Sequence, residues 1–217
     1  MRTAERLRAP WPGIMVSLLS LAAMIAISWA VWDSLPELVT TREATPRRAG
    51  VRVPRLILAA ALPATLVVIG IVMAGATAVA DRLRPHLPPL LVASPSRQTR
   101  SMNVLFVLLP PFLTVLHGGL LLRTAGHDVP LERGMAVAIG LLLAGLGLAL
   151  PRISARLPVP GWGRAQRLGG LAMTAVGAGC AAGALFLPPL LVSVAAALAA
   201  GVIPSLPALV ALARARR

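Results

Sequence analysis

The feature that most constrains this chain is a set of six long apolar runs without a single Asp, Glu, Arg or Lys. They cover approximately residues 14–32, 56–80, 103–122, 135–150, 168–187 and 190–212. A helix rises about 1.5 Å per residue and the hydrocarbon core of a bilayer is about 30 Å thick, so about 20 such residues suffice to cross it. A charge near the bilayer centre costs about 2.5–3.5 kcal/mol on insertion scales, which explains why the runs exclude charge. Backbone polar groups in lipid must pair internally, and runs this long without polar alternation do not suit barrel strands. The expected fold is therefore all-α: one polytopic transmembrane helical bundle of about six spans, with residues 1–217 forming a single integral membrane domain. The fourth run is short, and Pro151 with Arg152 is placed to extend it into the interface. Pro188-Pro189 separates the last two runs and predicts a tight turn between two helices, because neither proline continues a regular helix.

Charge then reports orientation. The 217 residues carry a formal net charge of +14, and all 21 basic residues are arginine. So basic a chain suggests nucleic-acid binding, but the arginines lie between the apolar runs, and three Phe, four Trp and no Tyr leave little for base stacking. No nucleic-acid partner is expected. Fourteen arginines fall on one side of the predicted membrane: Arg2, Arg6, Arg8, Arg82, Arg84, Arg97, Arg100, Arg152, Arg156, Arg164, Arg167, Arg214, Arg216 and Arg217. Seven fall on the other: Arg42, Arg47, Arg48, Arg52, Arg55, Arg123 and Arg133. The bias predicts both termini in the cytoplasm of a bacterial inner membrane. Five arginines are nevertheless many for the first outer loop. Trp11 and Trp32 flank the first run at the spacing of two interfacial anchors. Ser28-Trp29-Ala30 has the form of a signal-peptidase site, but the run before it is longer than a signal-peptide core and ends in bulky Trp29 and Trp32, so an uncleaved first span is expected.

Chemistry is sparse. The chain has no HExxH, no phosphate-binding Gly-rich loop with Lys, no GxSxG and no paired carboxylates within a run. Its one cysteine, Cys180, excludes an intrachain disulfide and a cysteine metal cluster. Neither enzymatic activity nor a cofactor or metal is expected. His117 is the one ionisable side chain inside a run, which makes it a candidate functional residue; its simpler use is an interhelical hydrogen bond. Pro63, Pro110-Pro111, Pro204 and Pro207 are expected to kink or locally unwind their spans, the basis of an alternative transporter reading. Two small-residue faces, Ala136/Gly140/Ala144 and Ala175/Gly179/Gly183, are expected to admit close helix packing. They serve intramolecular contact more simply than a homo-oligomer.

A family resemblance rests on two blocks. Leu35-Pro36, a polar loop with Thr45-Pro46-Arg47, and Leu62-Pro63 resemble the N-terminal part of SdpI-like bacterial membrane proteins. Arg42 stands where that family has a histidine. Gly161-Trp162-Gly163-Arg164 through Arg167-Leu168-Gly169-Gly170 is similar to the family's inner-loop ending, although the motif upstream of it is missing. The resemblance implies a toxin-immunity or signal-transducing role, with a toxin peptide or a repressor as protein partner besides the bilayer. Trp162, Arg164 and Arg167 are the candidate partner-facing group on the inner side, their simpler use being headgroup binding. Glu37, Arg42, Glu43, Arg47 and Arg48 form the alternative recognition surface outside. A membrane-anchoring subunit of a larger complex is a further alternative.

Overall fold

The structure, a computed structural model, describes residues 10–42, 49–83, 86, 95–153 and 162–203. It is an all-α bundle with one small sheet. Six helices follow in order: α1 (Trp11–Ala30), α2 (Arg55–Leu83), α3 (Pro95–Thr124), α4 (Leu131–Ile153), α5 (Trp162–Gly183) and α6 (Pro189–Val202). Between α1 and α2 lie a short 3-10 turn (Trp32–Ser34) and two strands, β1 (Leu38–Arg42) and β2 (Val51–Pro54). Four helices, α1 to α4, are long and apolar enough to cross a membrane. The fourth does reach past its charge-free run, to Ile153, with Pro151 inside it.

Among the described residues the α4–α5 contact is the most extensive, followed by α1–α3. Glycine makes both possible. A Cβ on Gly177 would lie 2.4 Å from the Ala144 nitrogen, one on Gly140 2.6 Å from the Ala181 nitrogen, and one on Gly147 2.6 Å from the Thr174 nitrogen. Backbone atoms cannot retreat as a flexible side chain does, so this seam admits nothing larger than glycine at those positions. The expected α4 face is therefore correct at Gly140 and Ala144. The expected α5 face is not. Ala175 and Gly179 are exposed, a Cβ on Gly179 would meet nothing within 4 Å, and one on Gly183 would meet only Leu187 of the following turn. The α5 seam runs instead along Gly170, Thr174, Gly177 and Ala181, whose spacing of three to four residues follows one helix face. Beneath it Ala136, Leu143, Met173, Cys180, Ala184, Val192 and Ala196 form the core shared with α6.

At its start, α1 meets α3. A Cβ on Gly13 would lie 2.7 Å from the Phe106 Cβ, and the Gly13 N–H donates to Asn103 Oδ1 at 2.8 Å. That bond serves one of the four N–H groups that a helix start leaves unpaired. Helix α3 ends in a Schellman turn: Gly126 takes φ +87°, with Gly126 N–H donating to the Arg123 carbonyl and His127 N–H to that of Leu122. The close of α5 at Gly183 and the restart of α6 at Pro189 form the tight turn expected around Pro188-Pro189.

Two expectations need correction. The segment between α1 and α2 is not simply a polar loop: β1 and β2 pair antiparallel, Val39 opposite Val53 and Thr40 opposite Arg52, with a bulge before Arg42 meets Val51. Its β-branched stretches Val39-Thr40-Thr41 and Val51-Arg52-Val53 favour extended backbone. Of the kinking or unwinding expected at the prolines, unwinding is absent from α2 and α3. Helix α2 is continuous through Pro63, and α3 through Pro110-Pro111. Pro204 and Pro207 lie outside the described residues.

Candidate functional site

The prolines leave carbonyls unpaired, and α1 supplies what they lack. Pro63 has no N–H for the Ala59 carbonyl four residues earlier; the Ser28 hydroxyl donates there at 3.5 Å. Pro110 likewise frees the Phe106 carbonyl, which lies 3.4 Å from the Ser17 hydroxyl. That hydroxyl also bonds Gly13 O within its own helix at 2.9 Å. Two serines of α1 thus meet the proline-freed carbonyls of two neighbouring helices.

Ser28 links this arrangement to His117. The imidazole is fully buried between α1 and α3, with Nε2 2.8 Å from Ser28 Oγ and 3.2 Å from the Met24 carbonyl. A carbonyl only accepts, so the consistent assignment puts the proton on Nε2, shared between Met24 O and Ser28 Oγ, while the serine proton points to Ala59 O. Nδ1 is then a buried acceptor without a hydrogen-bond partner. The Ser28–His117 distance is that of a nucleophile and its base. The chemistry differs: Nε2 already carries its proton, and Ser28 sits within α1, where the neighbouring backbone N–H groups serve the helix rather than an oxyanion. As arranged, the pair ties three helices together.

Ser28 also lines a cleft of about 700 Å³ between α1 and α2, together with Leu21, Ile25, Trp29, Ala60, Pro63 and Val67. Trp32 and Asp33 line its mouth beside Leu56. There the Arg55 guanidinium lies 4.7 Å from the Trp32 ring centroid, and its Nη1 donates to the Trp32 carbonyl at 3.4 Å. The cleft exists because α2 is lightly packed: of its 29 residues, Ala59 and Leu66 are the buried ones.

The sequence-derived candidates fall at two ends of the bundle. Glu37 is exposed just before β1, its carbonyl accepting the Arg55 N–H at 3.0 Å, which fastens the hairpin to the start of α2. Arg42 is the last residue of β1, and Glu43, Arg47 and Arg48 lie outside the described residues. His117 is near this end, its helix meeting Val31 and Leu35 through Leu121. Trp162, Arg164 and Arg167 begin α5 at the other end, where Gly170 packs on Gly147 and Pro151. Trp162 is half-buried and both arginines are exposed. Sequence reasoning missed Ser28, Asp33 and Arg55 as members of a site. Arg55 stood only among the arginines counted for orientation, and Ser28 only in a cleavage motif. Among the described residues, no three His, Cys, Asp or Glu side chains are grouped to hold a metal. Compared with family models, curated proteins and solved structures, the chain matches none.

Proposed function

We propose that the protein is a non-catalytic, six-pass protein of the bacterial inner membrane, both termini cytoplasmic, with an immunity or signal-transducing role of the SdpI-like kind. The outer hairpin and the residues around Glu37 and Arg42 receive the extracellular peptide. Trp162, Arg164 and Arg167 meet a cytoplasmic partner. The observation that carries this reading is the build of the outer end. A hairpin is fastened to a lightly packed α2, and α2 is joined through Ser28 to His117 on the α1–α3 unit. A ligand that moves the hairpin therefore pulls on one defined junction, and α3 packs in turn on α4. The family resemblance rests on its sequence motifs alone. The transporter reading rests on the prolines and on His117; α2 and α3 stay helical through Pro63 and Pro110-Pro111. An uncleaved first span accords with Ser28 being bonded to His117.

Deletion of the gene in the source bacterium, followed by growth in culture supernatant of the parent strain, tests this. The deletion strain is expected to be inhibited, wild-type protein to restore growth, and a Glu37→Ala/Arg42→Ala protein to restore it poorly. Equal growth of parent and deletion strain overturns the reading. Solute movement by purified protein in liposomes, abolished by His117→Ala, would favour transport.

A further inference from the structure

We propose that the α1–α2 cleft is a site for one phospholipid with a phosphoethanolamine headgroup, its phosphate on Arg55, its ammonium on Asp33 and an acyl chain along the cleft. The inference concerns a lipid rather than the peptide proposed above, and it stands whichever membrane face the hairpin occupies.

Three observations carry it. The first is depth. From Leu21 at the floor to its end at Ala30, just before Trp32 at the mouth, α1 rises about 14 Å, close to half of a hydrocarbon core about 30 Å thick. The cleft thus spans one leaflet. The second is its wall, which is apolar except near the mouth and at Ser28, whose hydroxyl is already engaged with Ala59 and His117. About 700 Å³ falls within the roughly 300–1,000 Å³ of small-molecule sites.

The third is the pair of opposite charges at the mouth. Arg55 is held in place by the Trp32 ring and carbonyl and among the described residues pairs with no carboxylate, while a guanidinium has five N–H donors to offer. Asp33 is exposed, and among the described residues it pairs with no cation. An anionic headgroup alone would satisfy Arg55 and be repelled by Asp33. A choline headgroup would offer Asp33 no N–H. Phosphoethanolamine presents a phosphate that a guanidinium can grip bidentately and an ammonium that donates to a carboxylate. This also gives Arg55, the first residue of α2, a use besides its contact with Trp32.

The test uses the full-length protein, purified in detergent, delipidated and offered phosphatidylethanolamine, phosphatidylglycerol or phosphatidylcholine with identical chains. Native mass spectrometry reads the retained lipid, and thermal melting reads its effect. Wild type is expected to retain one phosphatidylethanolamine at least threefold better than either other lipid, with a higher melting midpoint. Arg55→Gln should lower retention of all three lipids, since each carries the phosphate that Arg55 would hold. Asp33→Asn should erase the preference for phosphatidylethanolamine over phosphatidylglycerol. Ala64→Phe, at a further residue of the cleft lining and away from both charges, should abolish the adduct while helical circular dichroism is unchanged. Equal retention of the three lipids by wild type overturns the proposal, as does unchanged phosphatidylethanolamine retention in both charge variants.

Discussion

Ser28 satisfies two groups at once, and its replacement should show it. The Ser28→Ala change leaves the Ala59 carbonyl, freed by Pro63, without a donor, and takes one acceptor from His117 Nε2. Hydrogen bonds between membrane helices average about 0.6 kcal/mol with a maximum near 1.7, so a loss of about 1 kcal/mol is expected. The more specific expectation is non-additive. Pro63→Ala returns an N–H to the Ala59 carbonyl, so Ser28→Ala should cost less in that background than in wild type. Unfolding in mixed detergent micelles reads both costs, and equal costs would mean that the serine does not serve the proline-freed carbonyl. None of this pairing was legible in the sequence. His117 stood out as an ionisable group in an apolar run, but Ser28 lies 89 positions away and has no signature of its own. Only the packing of α1 against α3 brings the two together.

Helix positions were far easier to read than helix faces. Lipid excludes charge over a span's whole length, so the charge-free runs that become α1 to α4 mark those helices with many residues. Rotation about the axis leaves a weaker mark. Helix α5 carries glycine or alanine at so many positions that several small-residue faces coexist, and only contact with α4 selects Gly170, Thr174, Gly177 and Ala181. The seam so identified makes a paired prediction. In Gly177→Ala the new Cβ falls 2.4 Å from a backbone nitrogen of α4, and the expected loss is about 1–3 kcal/mol, as for other overpacked interiors. In Gly179→Ala the Cβ enters open space, and stability should hold or rise slightly, because alanine favours helix over glycine. Thermal melting of both variants separates the cases; equal effects would mean that the α4–α5 seam lies elsewhere. The hairpin escaped notice for a different reason. Its charged and turn-forming residues gave the segment a loop's composition, while the short Val- and Thr-rich stretches that pair in β1 and β2 were outweighed.

At the scale of the molecule, the parts sort into a firm block and a lighter unit. Helices α4 and α5 interlock at backbone distance, and α1 and α3 are joined by Gly13, Asn103 and His117. Helix α2 touches these chiefly through Met24, Leu66 and Leu113, and it carries the hairpin and one wall of the lipid cleft. The receptor role proposed above calls for a part that moves at less cost than the rest, and the light packing of α2 suits it to that part. All of this presumes that the hairpin end and the Trp162 end face opposite sides of a bilayer. Single cysteines at Thr40 and Gly163, in a Cys180→Ser background, test that presumption most directly. With a membrane-impermeant maleimide on intact spheroplasts, the Thr40 position should be labelled at once and the Gly163 position only after lysis. Labelling of both before lysis, or of Gly163 alone, would contradict the account.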